Sequence, residues 1–384
     1  MSFSWSPPPS IYTDPRRLRS TFPGRRSGYS FRPTRPYIRK GPLSPPPPHK
    51  AFAPLAAELP AHTPREPLAL PLYIDSSMLT AWRSCRRKHF WSTLSALYPM
   101  GTSIHLHAGA AIAAGCEAAR KHVFSQPAPS AVPLEEVLFH AYSAFSLAWG
   151  SYVPPQTPRL VKTFENCWHC LSDYLTQYHP GLDAIQPLLR VDGSPAVEYR
   201  FAIPLPIDHP TGEPFLFVGR FDMLGSWNGL VAPVDEKTTS QFGASWADGW
   251  SLRGQFLGYV WAVREQGIPC STMVVRGLKI AKTGPEFQTA VLAFPDHLIS
   301  TWYRHLLRDV QQIKEAFIHL TTREDADTRD AAYPMNFGDS CQSYGGCAFE
   351  PLCSASNPYD FTSNFNHYVW NPLAPNPIEE QSNA

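Results

Sequence analysis

The dipeptide Asn228-Gly229 lies between two runs rich in β-branched and aromatic residues, FLFVGRFDML and GLVAPVDEKTT. Asn-Gly is the strongest short-range signal for a two-residue hairpin turn, because both residues accept the left-handed backbone of a type I′ turn. If these two residues form the turn, Asp222 on the first strand lies directly opposite Asp235 on the second. The sequence therefore predicts two carboxylates on one face of a hairpin, with Cβ atoms about 5 Å apart.

Lys237 shares a face with Asp235, because side chains alternate along a strand, and Glu236 between them points to the opposite face. Two like charges held together repel, whereas a divalent cation such as Mg²⁺ or Mn²⁺ makes them ligands. Two carboxylates and an ammonium group fit metal-assisted hydrolysis, in which the metal lowers the pKa of a bound water and Lys237 stabilises developing negative charge. The alternative is a solvent-facing hairpin that carries these charges without chemistry.

The first 50 residues of the 384-residue chain hold ten Lys or Arg, twelve Pro and a single acid, Asp14. This composition buries too little apolar surface to offset the entropy of ordering, so we predict that residues 1–70 form a basic, mostly disordered arm. Two interpretations stay open: the arm touches nucleic acid electrostatically, or it is a tail without function. The net charge of the whole chain, +1, favours no class of partner.

Apolar periodicity predicts several helices, then a sheet with one inserted helix, then a further helix. The helices are expected near 76–91, 108–124, 134–148, 158–178, 250–266 and 296–320. The strands are expected over AVEYRFAIPLPI, FLFVGRFDML, GLVAPVDEKTT, STMVVRGLKI and FQTAVLAF. This order predicts one α/β or α+β domain, with a helical region before the sheet and a cysteine-rich coil after it.

Neither a membrane span nor a signal peptide is predicted. The chain has no run of about 18 apolar residues, and its N-terminus lacks an apolar core. We therefore expect a cytoplasmic protein. In that compartment its eight cysteines indicate ligands or buried thiols rather than a disulfide framework.

The segment GRFDMLGSWNGLVAPVDEKTTS resembles the core of the PD-(D/E)xK nuclease superfamily, specifically its RecB-like exonuclease branch. The resemblance implies a restriction-endonuclease-like central mixed sheet flanked by helices. It also implies that Asp222, Asp235 and the backbone carbonyl of Glu236 bind the catalytic metal, and that Lys237 assists the nucleophilic water.

Two further motifs extend the resemblance beyond the hairpin. Glu198 in AVEYRF stands where this branch often has an acid, which implies a further metal ligand. The run GQFLGYVWA resembles the branch's helical motif with Gln and Tyr, here Gln255 and Tyr259. These two residues are four apart and share a helix face, and the resemblance implies that they orient the DNA strand.

Cas-type and AddB-type members of the branch carry one cysteine before the nuclease core and three after it, which hold a 4Fe–4S cluster. Here SSMLTAWRSCRRKHFW supplies Cys85, and SCQSYGGCAFEPLCS supplies Cys341, Cys347 and Cys353. Cysteine thiolates are the usual ligands of such clusters, and a shared cluster would clamp the two ends of the domain together. Zinc is the rival occupant, since four thiolates also suit a closed tetrahedral site.

Two features depart from the branch's pattern. The cysteine trio is spaced C-x5-C-x5-C rather than C-x2-C-x5-C, which concerns Cys341 above all. The branch also has a metal-binding histidine in the helix before the sheet, and Ala113 stands at that position in GAAIAAGCEAAR. His107 is the predicted substitute, with His105 as a weaker candidate. If neither reaches the metal, the site has one ligand fewer.

Residues and resemblance together predict a Mg²⁺- or Mn²⁺-dependent exonuclease that hydrolyses DNA at ends or in single strands and carries a structural 4Fe–4S cluster. The nuclease domain is expected over residues 71–360, with a tail over 361–384. The expected setting is phage or bacterial recombination, repair or genome processing, with recombination or replication proteins as partners. Two alternatives remain open: a non-cleaving DNA-binding protein on the same fold, and a zinc-stapled scaffold or interaction protein.

Overall fold

The computed structural model describes residues 68–371, except 102, 156, 158–159, 323–325, 343–345 and 370. The predicted arm over residues 1–70 therefore lies, apart from its last three residues, outside the described residues. The end of the predicted tail, 372–384, lies outside them as well.

Nine strands run through the described residues, here numbered in chain order: β1 Tyr73–Ile74, β2 Leu97–Pro99, β3 Ile185–Pro187, β4 Val197–Asp208, β5 Pro214–Trp227, β6 Leu230–Thr239, β7 Thr272–Lys279, β8 Glu286–Ala293 and β9 Phe365–His367. The five strands predicted from the sequence are confirmed as β4 to β8. The remaining four have two or three residues each, too few to give a periodic signal.

The α-helices of the described residues are α1 Ser76–Ser84, α2 Arg86–His89, α3 Ile104–Phe124, α4 Leu134–Trp149, α5 Phe164–Gln177, α6 Gly254–Glu265, α7 Asp296–Thr322, α8 Ala326–Ala332 and α9 Glu350–Ser354. The first predicted helix is interrupted at Cys85, whose extended backbone separates α1 from α2. The other five predicted helices are confirmed as α3, α4, α5, α6 and α7. No described helix combines the length and apolar character needed to cross a membrane.

The strand β5 is central to a mixed sheet. It pairs antiparallel with β4 and with β6, β6 pairs parallel with β7, and β7 pairs antiparallel with β8. The short strands β1 and β3 also pair with β5. Because parallel and antiparallel pairs occur in one sheet, the fold is mixed α/β, as the sequence predicted.

Helices cover both faces of this sheet. On one face α3, α4 and α5 pack over Leu278 and Ile280 in one apolar cluster. On the other face α1, α6 and α7 pack over β5 and β7 in a larger cluster that includes Phe217, Phe221 and Val275. A sheet buried on both faces leaves little room for charges in its central strands, so the acids of β5 and β6 need a specific explanation.

The turn between β5 and β6 is the one the sequence predicted. Asn228 and Gly229 have φ of 49° and 79°, the left-handed values that a type I′ turn requires. Trp227 pairs with Leu230, and the pairing continues in the predicted register as far as Met223 and Val234.

A second, smaller sheet joins β2 to β9, with Leu97 opposite His367 and Pro99 opposite Phe365. The paired chain therefore continues past residue 360, where the tail was predicted to begin.

Candidate active site

The strand β5 has two different partners along one of its edges. At the start of this edge β1 pairs with Leu216 and Phe217, and β6 pairs only from Met223 onward. The strand β4 occupies the opposite edge over most of its length. On the first edge residues 218–222 therefore have no described strand beside them, and β6 continues beyond Val234 next to β7 alone. We call this opening between β5 and β6 the fork.

Asp222 lies at the mouth of the fork. Its Oδ2 accepts a hydrogen bond of 2.7 Å from the backbone N–H of Glu236. In a regular β-ladder a backbone carbonyl of the neighbouring strand would accept this hydrogen bond. The N–H and C=O groups of one strand residue point toward the same neighbouring strand. The carbonyl of Glu236 therefore also faces the fork, where the resemblance requires a metal ligand.

Asp235 and Lys237 share one face of β6, as predicted. Asp235 Oδ2 lies 2.6 Å from Lys237 Nζ, and the side chain of Asp235 is buried while that of Lys237 is 30% exposed. The ammonium group lies 5.8 Å from the centre of the Phe256 ring on α6. This face of β6 thus meets α6 and keeps an opening to solvent at Lys237.

The acids of the fork repel one another. Burial raises the pKa of Asp222 well above its ordinary value, and the charges of Asp235, Glu236 and Glu198 raise it further. Burial also raises the pKa of Asp235 in spite of Lys237. Burial alone would lower the pKa of Lys237, but Asp235 and Asp222 together raise it. One ammonium group does not neutralise this cluster, which fits a site that receives a cation.

Glu198 lies opposite Asp222 at a shared irregularity of β4 and β5. Its φ is 49°, a left-handed value that is strained for a residue with a side chain. The pairs on either side of it face opposite surfaces of the sheet: Tyr199 and Phe221 belong to the cluster under α6, and Val197 and Met223 to another. The alternation of both strands therefore breaks where the two acids stand.

Glu198 is the third acid near the fork. Its carboxylate lies 2.6 Å from Arg220 Nε and is 6% exposed. Burial raises the pKa of Glu198 to about 7, with a further contribution from Glu117 on α3, while Arg220 lowers it. The predicted acid is thus next to the site, where its carboxylate pairs with Arg220.

A cavity of about 670 Å³ opens beside Glu198. Its lining includes Lys121, Arg190 and Arg200, and the Arg190 guanidinium lies 5.2 Å from the centre of the Tyr199 ring. Basic and aromatic side chains in one groove are typical of surfaces that contact single-stranded nucleic acid.

The side chain of Glu236 points away from the fork, into the layer of α3 and α5. Both guanidinium nitrogens of Arg120 donate to its carboxylate, and the Tyr174 hydroxyl donates to Oε1 at 2.8 Å. Burial would raise the pKa of Glu236, but Arg120 and Tyr174 hold it below its ordinary value. Sequence patterns gave no signal for this pair, because its members are far apart in the chain.

Gln255 and Tyr259 lie on one face of α6, as predicted. Gln255 Nε2 donates to the Tyr259 hydroxyl at 2.9 Å, and that hydroxyl donates to the carbonyl of Arg220 at 2.7 Å. The hydroxyl thus binds a free segment of β5 two residues before Asp222. In this arrangement Tyr259 fixes the strand that carries Asp222, and half-buried Gln255 fixes Tyr259.

The predicted substitute histidine packs elsewhere. His107 Nε2 lies 3.0 Å from the carbonyl of Trp149, and its ring stacks on Tyr152 with centres 4.0 Å apart. His105 is exposed. Neither ring joins the acids of the fork, since no three His, Cys, Asp or Glu side chains in the described part of the chain stand together as a metal site.

Of the four cysteines that the resemblance assigns to a cluster, Cys85 lies between α1 and α2, and the other three follow α8 in the chain. These four are half-buried and free, whereas the other four cysteines are fully buried. The Cys353 thiol is close enough to Cys85 and Cys347 for their charges to interact, and Asn336 Nδ2 donates to the Ser84 carbonyl at 2.7 Å, tying the C-terminal coil to α1. Cys341 Sγ instead faces the carbonyl of Asn336 at 3.6 Å.

The donor chemistry of these cysteines fits a thiolate-bound centre, but the thiols do not converge in a ligating arrangement as they stand in the described part of the chain. The thiols of Cys341 and Cys353 also have other partners, the Asn336 carbonyl and the Trp91 side chain respectively.

Comparisons with known proteins add little to this geometry. No family model matches the chain, and no curated protein matches it. Among solved structures, the chain is similar to one from Eubacterium rectale described as a "putative exonuclease", with 11% identity and a TM-score of 0.37. That similarity covers 62% of this chain and 80% of the other, and at this TM-score it carries no argument about function.

Proposed function

We propose that this chain is a metal-dependent deoxyribonuclease that hydrolyses phosphodiester bonds at DNA ends or in single strands. The observation that carries the proposal is the fork, where Asp222, Asp235 and the Glu236 carbonyl line one opening beside Lys237. The repulsion between buried carboxylates favours a cation there, and carboxylate and carbonyl oxygens are the ligands that Mg²⁺ and Mn²⁺ prefer.

In this mechanism Asp222, Asp235 and the Glu236 carbonyl would hold the ion, which would supply Lewis-acid chemistry by activating a water and polarising the phosphate. Lys237 orients the attacking water and stabilises the negative charge that develops on phosphorus-bound oxygen. Tyr259 holds β5 through the Arg220 carbonyl, so the position of Asp222 depends on a hydroxyl that does not touch the substrate. The groove beside Glu198, whose lining includes basic and aromatic side chains, would hold part of the strand.

The proposal includes a 4Fe–4S cluster held by Cys85, Cys347 and Cys353, with Cys341 as fourth ligand, and zinc as the rival occupant. It is supported by the half-buried position of these thiols and the contacts between α1 and the C-terminal coil. Anaerobic purification followed by iron and acid-labile sulfide analysis tests it. A stoichiometric zinc content without iron or sulfide would replace the cluster by a zinc site.

The activity is tested with a single DNA strand labelled at its 5′ or 3′ end, incubated with the protein and Mn²⁺. Wild type is expected to shorten the strand, and Lys237→Ala to do so about 10²–10³-fold more slowly, the loss typical of a removed charge-stabilising donor. Lys314→Ala on α7, a partly exposed lysine outside the fork, is the matched control. Equal rates for wild type and Lys237→Ala would remove Lys237 from the mechanism.

A non-cleaving DNA-binding protein is the second candidate, favoured by the absent histidine at Ala113 and the engagement of His107 with Trp149. The same assay separates the two functions. Strand binding by wild type without any Mn²⁺- or Mg²⁺-dependent shortening supports the second candidate and removes the first.

A further inference from the structure

The helix α6 begins next to the fork with an uncapped N-terminus. Its first residue is Gly254, and no described side chain caps it. The N–H groups of Phe256 and Leu257 bond to the Arg253 carbonyl, whereas those of Gly254 and Gln255 have no backbone acceptor among the described residues. Free N–H groups and the positive end of the helix dipole favour an anion at such a place.

A buried donor without an acceptor lies at the same place. Trp302 on α7 is 5% exposed, and its indole Nε1 has no hydrogen-bond partner within the described structure. This nitrogen lies 3.6 Å from the position that a Cβ atom on Gly254 would occupy. A buried polar group without a partner is destabilising, and in native proteins it usually marks an absent water, ion or ligand.

Arg83 on α1 reaches the same position from the solvent side. Its Nη1 lies 3.3 Å from the Gly254 Cβ position, and its Nε donates to Asp309 at 2.6 Å. Asp309 also accepts from Arg308 at 3.1 Å, so its single charge is shared by two guanidinium groups. The charge around the helix N-terminus therefore stays positive.

The position relative to the fork indicates which anion binds. Arg253, the residue before α6, is exposed, and its charge acts on both Asp235 and Lys237. A group bound at Gly254 would thus lie beside the acids without displacing any of them.

We propose that the N-terminus of α6, together with Arg83 and the Trp302 indole, binds a phosphate group of the nucleic acid strand that is not the one cleaved. The chemistry requires only an oxyanion with several acceptor oxygens. Its assignment to a nucleic acid phosphate rests on the proposed function.

The test uses the full chain in EDTA, labelled with ¹⁵N at the indole nitrogens, with Trp302→Phe serving only to assign the resonance. Inorganic phosphate and a single-stranded oligothymidylate with a 5′-hydroxyl are added separately. The Trp302 indole N–H resonance is expected to move downfield with each probe and to saturate, because the N–H acquires an acceptor. No movement with either probe overturns the site, and movement with inorganic phosphate alone overturns its assignment to nucleic acid.

Gly254→Ala supplies the second measurement. The added methyl group meets the flexible end of Arg83 closely and Trp302 at an ordinary contact distance, and it fills the space for a phosphate oxygen. Oligonucleotide binding should therefore weaken at least about tenfold. Gly249→Ala, where nothing lies within 4 Å of the added Cβ, is the control and should bind as wild type does. Equal affinity for Gly254→Ala and wild type contradicts the proposal. Because these experiments are done without metal, loss of cleavage and loss of phosphate binding are distinguishable.

Discussion

Asp235 and Glu236 are neighbours on β6, but they lie on opposite faces of the strand and their pKa values shift in opposite directions. Glu236 meets a guanidinium and a phenol hydroxyl under α3 and α5, and its pKa is lowered. Asp235, one residue earlier, meets one ammonium group under α6, and its pKa is raised. Both carboxylates are buried, so burial alone does not explain the difference.

The contrast separates the face of Glu236, which we call the fixed face, from the face of Asp235, which we call the reactive face because the proposed chemistry would take place there. Acids that a protein needs only for folding are paired and hydrogen-bonded, whereas groups with raised pKa values concentrate at sites of binding and chemistry. The peptide unit of residue 236 connects the two faces, because its side chain is fixed on one and its N–H holds Asp222 on the other. The contacts of the Glu236 side chain on the fixed face thereby help to position Asp222 on the reactive face.

Removing the cation that pairs with Glu236 on the fixed face should have the largest effect on stability. Arg120→Met leaves the Glu236 carboxylate buried without its cation, and we expect the free energy of unfolding to fall by about 3–5 kcal/mol. Urea denaturation at neutral pH measures it. The double substitution Arg120→Met with Glu236→Met removes both charges and should recover most of that loss, and a double variant as unstable as Arg120→Met would show that the ion pair is not the cause.

Two tyrosines provide a matched pair, one on each face. Tyr174→Phe removes a hydrogen bond to a carboxylate and should lower stability by about 1.5–3 kcal/mol, whereas Tyr259→Phe removes one to a carbonyl and should cost about 0.5–1.5 kcal/mol. The rate of strand shortening should fall more for Tyr259→Phe, because Tyr259 holds the strand that carries Asp222. A larger loss of rate for Tyr174→Phe would contradict the division between the faces.

Removing one of the mutually repelling charges on the reactive face should stabilise the protein. Asp222→Asn removes a charge that faces other acids and keeps an oxygen for the Glu236 N–H. In EDTA we expect the free energy of unfolding to rise by about 1 kcal/mol, the upper range for opposed like charges in a sheet. Mn²⁺ should then stabilise wild type in a thermal shift assay but not this variant, and a destabilised Asp222→Asn would contradict the repulsion.

The smallest expected effect is the pH dependence of stability that buried Lys162 contributes, in contrast to Lys237. Lys162 is buried, donates to Thr238 Oγ1 at 2.9 Å, and has a pKa lowered by burial, whereas the acids raise that of Lys237. Between the lowered pKa of Lys162 in the folded chain and the ordinary lysine pKa, the unfolded chain binds more protons at Lys162 than the folded one does. Stability should therefore rise with pH toward about 10.5, by at most about 1.4 kcal/mol per pH unit.

Urea denaturation between neutral pH and about pH 10 measures this slope. Lys162→Met should show less of it, and an identical slope in wild type and variant would exclude Lys162 as its source.

The sequence predicted those features that depend only on residues close together in the chain. Asn228-Gly229 determined the register of the hairpin, and alternation placed Asp235 and Lys237 on one face. It could not predict the fork, because β1, which pairs with the start of the same β5 edge, has only two residues and gives no periodic signal. The strained backbone of Glu198 and the Arg120–Glu236 pair also depend on contacts between distant segments. The contact of His107 with Trp149 depends on another helix in the same way.

The pairing of β2 with β9 bears on how the cysteine-bearing coil is gathered. It joins residues 97–99 to 365–367, so one end of the closed loop lies shortly after Cys85 and the other shortly after Cys353. Most of the chain entropy needed to bring distant thiols together is lost once such a loop is closed. The folded chain would then already hold Cys85 and the C-terminal thiols near one another before any metal centre binds.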